Sequence, residues 1–172
     1  MELKEAIRKR KSTRSFLDEK PAIKTILEIL EYSNLAPSAG NLQARDFIVV
    51  DDPDIKLKLS RAALNQRFVA EAPIDIVVCA NLRRISPYGR RGVELYCIQD
   101  AAAAIEHILL LAVDYGLATC WVGAFDEDMV SDILNLPSHV RPVAIIPIGY
   151  QKDQAKATSR IKIDELVHFN GW

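Results

Sequence analysis

The residues whose types and spacing first indicate a chemical role are Arg10, Ser12 and Arg14, in the basic stretch RKRKSTRSF. If this stretch is extended, residues two apart point to the same side of the chain. Two guanidinium groups and a hydroxyl on one side suit a phosphate dianion, because arginine binds phosphate through two parallel hydrogen bonds. A solvated basic face is the other interpretation of such a charge run. The stretch alone therefore leaves an anion site and an ordinary exposed surface open.

Amide side chains are concentrated in a second segment, APSAGNLQ at residues 36–43. There Ser38, Asn41 and Gln43 surround a glycine in a turn marked by proline. Amides both donate and accept hydrogen bonds, as the edge of a planar heterocycle with alternating C=O and N–H groups requires. Asn65 and Gln66 supply a second pair of amides just before a predicted strand. A helix end followed by a turn explains each pair equally well.

Two small residues, Gly123 and Ala124, follow the predicted strand in TCWVGAFD. Small residues at the end of a strand let a ligand approach backbone N–H groups closely. A tight turn before the predicted helix cap at Asp126 also explains the glycine. Arg160 opens the C-terminal tail as an isolated cation.

Several other chemistries lack their sequence patterns. The chain contains no GxGxxG, no GxxxxGK[ST] and no GxSxG. Its cysteines, Cys79, Cys97 and Cys120, form no CxxC pair, so we expect no metal site and a reduced, cytoplasmic protein. The net charge of −1 does not favour nucleic acid. The most apolar segment, residues 101–113, is shorter than the roughly 20 residues that a membrane span needs, so we expect no membrane partner.

Hydrophobic periodicity predicts the elements that must position these residues. Helices are predicted at residues 2–10, from Pro21 to about 34, and at 54–64, 94–115 and 126–134. Strands are predicted at 47–50, 73–80, 117–123 and 140–150, with a loop at 81–93. The helix at 94–115 is apolar on almost every side and must be buried, which predicts a dimer. The apolar residues of the C-terminal tail also require a surface to lie on.

The motifs occur in a fixed order: AIRKRKSTRSF, LAPSAGNLQARDFIVV, LNQRFVAEAPIDIVVCA, the long helix, GLATCWVGAFD and VRPVAIIPIGY. This order resembles the nitroreductase family of FMN-dependent oxidoreductases over essentially the whole chain. The resemblance implies an α+β fold with a mixed central β-sheet flanked by helices, in a single domain over residues 1–172. It further implies an intertwined homodimer with C-terminal tail exchange and FMN bound at the dimer interface.

The resemblance also assigns roles to individual residues. The FMN phosphate and ribityl chain would contact the basic stretch and the tail, at Arg10, Lys11, Ser12, Arg14 and Arg160. The partner subunit's loop would reach the flavin through Pro37, Ser38, Ala39 and Asn41, with Gln43 as a further candidate. Asn65 would bind the pyrimidine edge, and the N–H of Gly123 would lie near N5, with Ala124 beside it. No protein side chain is implied as a catalytic acid or base.

The implied activity is hydride transfer from NADH or NADPH to flavin N5, followed by reduction of a nitroaromatic or quinone in a ping-pong cycle. Ala39 and Ala44 depart from the family pattern, where serine and proline are common, so one polar flavin contact is expected to be missing. The alternatives are reductive dehalogenation, flavin fragmentation, a flavin-binding protein with little turnover, and a nucleic-acid-binding basic arm.

A cluster of arginines flanks Tyr88 in the predicted loop at 81–93. These cations either attract a nicotinamide phosphate or an anionic substrate, or are simply solvated: Arg83, Arg84, Arg90 and Arg91. Because the predicted loop is short, the resemblance implies a compact and more open pocket.

Overall fold

The computed structural model describes residues 1–155 and 158–172. Eight helices and four strands follow one another along this part of the chain. The order is α1 (Leu3–Lys9), α2 (Ile23–Ser33), β1 (Arg45–Val50), α3 (Pro53–Ala62), α4 (Arg67–Glu71), β2 (Ile74–Asn81), α5 (Leu82–Ile85), α6 (Gly89–Arg91), α7 (Cys97–Asp114), β3 (Ala118–Thr119), α8 (Glu127–Leu134) and β4 (Val140–Gly149).

The four strands form one antiparallel sheet in the order β1-β2-β4-β3. A parallel contact is added by the isolated bridge between Ser12 and Thr119. Side chains alternate along each strand, so the sheet contributes to two cores. Val77 and Ile145 pack with α3, α4 and α8 on one face, whereas Ile76 and Ile146 pack with α2 and α7 on the other. The α+β fold, with helices on both faces of the sheet, is confirmed.

The predicted loop at 81–93 is wrong, because this segment is helical. It contains α5, a 3₁₀ turn at Ser86–Tyr88, α6 and a π-helical turn at Gly92–Tyr96, and it leads directly into α7. The Asn81 side chain accepts a hydrogen bond from the Arg84 N–H at 2.9 Å and caps the first turn. A Cβ at Gly92 would lie 2.9 Å from the Ile85 carbonyl oxygen, so glycine permits the tight packing of successive turns. Ile85 packs with Ala44 and Ala80, so the segment covers this end of the sheet.

The strand predicted at 117–123 is also shorter than expected. Only Ala118–Thr119 pairs as a strand, and Val122 makes an isolated bridge with Ile145. The facing residue Pro147 has no N–H to donate, so the ladder is interrupted there. The chain beyond Thr119 is consequently irregular where the predicted site begins.

The run Leu82–Asp114 is long and apolar enough to cross a membrane by length and composition. In the fold, however, α7 packs on the sheet, with Ile105 and Ile108 fully buried. Leu110 and the partly buried Leu111 line an apolar groove of about 360 Å³ with Leu3 and Leu35. The tail is the most exposed apolar segment, and Trp172 is fully accessible.

Candidate active site

The basic arm, residues 10–14, lines a polar cavity of about 500 Å³ next to the tail. All five positively charged or hydroxylated residues predicted to bind phosphate face this cavity: Arg10, Lys11, Ser12, Arg14 and Arg160. Ile7, Arg8 and Thr158 complete the lining. Arg160 donates to the Thr158 hydroxyl at 2.8 Å. The basic arm and the tail, which are far apart in sequence, therefore form one positively charged cavity.

Backbone pairing holds the basic arm against β3. The Thr13 N–H donates to the Thr119 carbonyl at 2.9 Å, and Ser12 forms the parallel bridge with Thr119. Thr13 is buried while Ser12 and Arg14 are exposed, which confirms that alternate side chains face opposite sides. The Arg14 guanidinium lies 5.7 Å from the centre of the Phe68 ring. This cation–π contact connects the arm to α4.

A buried thiol lies behind the basic arm. Burial raises the pKa of Cys120, and the nearby Arg14, Ser12 and Arg10 partly offset that increase. The basic arm thus affects the pKa of the buried Cys120 as well as the charge of the cavity. Cys79, Cys97 and Cys120 are all free and buried, and burial raises the pKa of Cys79 to about 12.

Asn65 and the turn at Gly123 lie together on the same side of the sheet. Gln66 donates to the Ala124 carbonyl at 3.2 Å, which connects the α3–α4 turn to the chain after β3. Asn65 is exposed and has a φ of +61°, a left-handed conformation that asparagine tolerates. The N–H groups of Gly123 and Ala124 meet no acceptor among the described residues. Two backbone donors are therefore open at an exposed turn.

The amide loop, residues 37–43, is tightly ordered. Gly40, Asn41 and Gln43 all have positive φ, and the Gln43 N–H donates to the Ser38 hydroxyl at 3.0 Å. The Gln43 amide bonds within the loop, to the Asn41 carbonyl at 2.9 Å. Pro37, Gly40 and Asn41 are exposed, while Ser38 and Ala39 are half-buried.

The buried Arg45 side chain fixes this loop, although no sequence pattern singled it out. Its guanidinium donates to the carbonyls of Ala36 at 2.7 Å, Asn34 at 2.8 Å, Asp100 at 3.0 Å and Pro37 at 3.3 Å. The residue is only 3% exposed, and desolvation lowers its pKa. The sequence signal that could have identified Arg45 is a single arginine at the start of an apolar strand.

Asp100 supports the same loop from α7. Its Oδ1 accepts from the Ala39 N–H at 2.9 Å, while its Oδ2 is buried without a partner among the described residues. Arg84 adds a third support, donating to the Gln43 carbonyl at 2.7 Å and the Arg45 carbonyl at 2.8 Å. The loop conformation is thus determined by three side chains from outside it.

The amide loop and the basic arm lie at opposite ends of the sheet. Arg45 pairs with Ala80 of β2, which pairs with Arg141 of β4. Ser12 pairs with Thr119 of β3, which pairs with Ile148 of β4. Seven residues of β4 separate those two levels, or about 23 Å at about 3.3 Å per residue. Within one chain, the amide loop and the basic arm are therefore separate, and the turn at Gly123 follows Val122, which pairs with Ile145 between the two levels.

The residues that the structure describes contain no cluster of metal ligands. Among residues 1–155 and 158–172, no three His, Cys, Asp or Glu side chains are close enough to hold an ion.

Comparisons with known proteins agree with this architecture. The model of the Nitroreductase family matches residues 7–66 and 56–150. An NADH dehydrogenase of Thermus thermophilus is 31% identical over 195 residues, covering 97% of this chain and 95% of that protein. An FMN reductase (NADPH) of Bacillus subtilis is 27% identical over 180 residues, covering 96% of this chain and 72% of that protein.

Solved structures agree as well. A nitroreductase family protein from Clostridium novyi NT superposes with a TM-score of 0.81 and 34% identity, covering 89% of this chain and 87% of that one. The fold, the arrangement of the motifs and these matches lead to one conclusion: the chain belongs to the nitroreductase family of oxidoreductases.

Proposed function

We propose that the chain is an FMN-dependent NAD(P)H oxidoreductase, a single domain over residues 1–172, whose flavin sites form between two copies. The separation of the amide loop from the basic arm carries this proposal. Within one chain, the arm that would hold the phosphate and the loop that would meet the ring are about 23 Å apart along the sheet, which favours their contacting different FMN molecules. In a two-fold dimer, however, the loop of one copy can lie beside the arm of the other.

The basic arm and the tail fit the phosphate of FMN. Their cavity is within the size range of small-ligand sites, and its cations are Arg8, Arg10, Lys11, Arg14 and Arg160. Ser12 and Thr158 add hydroxyl donors to the same cavity. A phosphate dianion is the complement of this set, and the FMN reductase of B. subtilis supports the choice of flavin.

The remaining site residues would orient the ring. The open N–H groups of Gly123 and Ala124 are donors for the N5 side, and the Asn65 amide is suited to the pyrimidine edge. The partner subunit would contribute Pro37, Ser38, Ala39, Asn41 and Gln43. Because the Gln43 amide is already bonded to the Asn41 carbonyl, its part is to hold the loop rather than to touch the ring.

When bound, FMN supplies the redox chemistry, accepting hydride from NADH or NADPH at N5 and passing electrons to a small oxidant such as a nitroaromatic or quinone. The chain's own residues bind, orient and neutralise charge. Among the described residues, no carboxylate lines the cavity at the basic arm, so none there competes with the phosphate for its cations. We expect solvent to supply the protons.

Exposed apolar surface supports the homodimer. Leu3 and Leu35 are 65% and 75% exposed beside the groove on α7. In the tail, Ile163 and Phe169 are 67% and 86% exposed, which suits a segment that lies on a partner. Three buried free thiols fit a reducing, cytoplasmic compartment.

Anaerobic reduction tests this function. Purified protein should be yellow, carry one FMN per chain, and bleach when NADH or NADPH is added without oxygen. A nitroaromatic or quinone should then restore the colour. Colourless protein that does not take up FMN would refute the proposal, and yellow protein that does not bleach would favour the flavin-binding alternative.

Variants of the basic arm test the phosphate assignment separately. Replacing Arg10 or Arg14 by alanine should raise the Kd for FMN by about tenfold or more, since a charge-assisted hydrogen bond contributes about 1.5–3 kcal/mol. Lys58→Ala removes one exposed charge on α3 and is the matched control. Equal FMN affinity in the Arg10, Arg14 and Lys58 variants would show that the phosphate binds elsewhere.

A further inference from the structure

The helical segment 82–96 lies directly on the amide loop. Arg84 donates to the carbonyl oxygens of Gln43 and Arg45, and its Nη2 donates to the Asp46 carboxylate at 2.6 Å. The Tyr88 hydroxyl fills the space that a side chain at Gly40 would occupy. The segment and the loop therefore form one surface.

Two aromatic rings form the centre of that surface. Tyr88 and Tyr96 meet edge to face, with ring centres 5.6 Å apart. Tyr88 is 44% exposed although it touches Gly40, so one side of its ring is open to solvent. An exposed ring beside the candidate site is available to contact a planar molecule.

Charge around these rings is unevenly balanced. Arg84 is paired with Asp46, and Arg90 is paired with Glu94 at 2.7 Å. Arg83 has no acidic partner among the described residues, and nor does Arg91. Arg91 instead lies 5.5 Å from the centre of the Tyr96 ring and donates to its hydroxyl at 3.0 Å. Arg91 thus lies beside the tyrosine pair without an acidic partner, and Arg83 is a second exposed guanidinium without one on the same segment 82–96.

We propose that Arg83 and Arg91 bind an anionic group, a phosphate or a carboxylate, on the molecule that exchanges electrons with the flavin. This inference rests on the proposed function, because the segment reaches the flavin only through the amide loop. Unpaired guanidinium groups attract anions from solution and bind them through two parallel hydrogen bonds. Tyr96 orients Arg91 without neutralising it, so the arginine stays available.

The anion has two possible sources, and separate assays distinguish them. The first source is the adenosine 2′-phosphate of NADPH, which NADH lacks. The second is a carboxylate on the oxidant, present in 4-nitrobenzoate and absent from 4-nitrobenzyl alcohol. Each pair differs in charge while keeping the reacting group.

The test variant is the double change Arg83→Gln and Arg91→Gln, which preserves polarity at two exposed positions. We expect its preference for the charged member of one pair, measured as a ratio of kcat/KM values, to fall about tenfold or more, mainly through KM. Calorimetry should give a parallel rise in the Kd of the same charged compound for the oxidised, FMN-loaded protein. Arg83→Lys with Arg91→Lys should recover part of the preference at low ionic strength.

Lys58→Gln removes a remote exposed charge and should leave both ratios unchanged. The inference is overturned if the glutamine double variant keeps both ratios and both dissociation constants within twofold of wild type. FMN content and anaerobic bleaching are measured in parallel. A wild-type protein without flavin would refute the proposed function, whereas a normal flavin with unchanged ratios would refute this inference alone.

Discussion

Replacing Arg45 by methionine should strongly destabilise the protein, although Arg45 touches no predicted ligand. Methionine keeps the length of the side chain but removes its donors. The Ala36 carbonyl is buried and the Asn34 carbonyl part-buried, neither accepts a backbone hydrogen bond among the described residues, and leaving such an acceptor unpaired costs about 1–3 kcal/mol each. Two such acceptors give a loss of about 2–6 kcal/mol in the free energy of unfolding.

Urea denaturation followed by circular dichroism measures this loss. With an m value of about 2 kcal/mol/M, a loss of about 4 kcal/mol lowers the midpoint by about 2 M. Arg84→Met is the matched control, since its guanidinium also supports the amide loop but from an exposed position, and we expect it to cost about 1 kcal/mol or less. A loss for Arg45→Met no larger than that of the control would refute the view that Arg45 fixes the loop.

Three further predictions follow from single positions. Burial raises the pKa of Asp75 well above its usual value. Its contribution to stability is therefore fully present below about pH 4 and is lost as the pH rises further, so the free energy of unfolding should fall with pH. Asp75→Asn should abolish this slope. The three buried thiols should resist a disulfide reagent at pH 8 in the folded protein and react completely in urea. Gly40→Ala should lower the free energy of unfolding by about 1–2 kcal/mol because φ is +56°, and the new methyl group should also clash with the Tyr88 ring. Adding Tyr88→Ala to this variant should relieve the clash but not the backbone strain, as urea midpoints would show.

Local sequence patterns predicted much of the fold. The Asp126 cap, the helix stop at Gly116 and the apolar strand at 74–81 depend on residues close together in sequence. Asp126 accepts from the Met129 N–H at 2.9 Å, as its position before a helix predicts. Such features follow from capping and burial alone.

Features that depend on distant contacts were not predictable in this way. The segment 82–93 has the composition of a loop, yet Ile85 is buried against Ala44, and Arg84 donates to the Gln43 carbonyl, and these distant contacts hold the segment in its helical form. Pro147 shortens β3 from the neighbouring strand, which no pattern within residues 117–123 reveals. Propensity is a weak guide where tertiary contacts decide the structure.

The same distinction between local patterns and distant contacts applies to the candidate site. The alternation of Arg10, Ser12 and Arg14 predicted a one-sided cavity lining, which the structure contains. The joining of Arg160 to that cavity followed only from the family resemblance. Arg45 and Asp100 escaped prediction because their hydrogen bonds run to backbone groups of a loop that the sequence does not place beside them.

A mixed-dimer experiment tests most directly the claim that each flavin site is shared between two chains. One variant carries Arg10→Ala and Arg14→Ala, the other carries Ser38→Ala and Asn41→Ala, and each alone should lack activity. If each site combines the arm of one chain with the loop of the other, refolding an equal mixture should restore about a quarter of wild-type NAD(P)H oxidation, because half of the dimers then contain one intact site. A mixture as inactive as the two separate variants, with mixed dimers shown by mass spectrometry, would contradict the shared site.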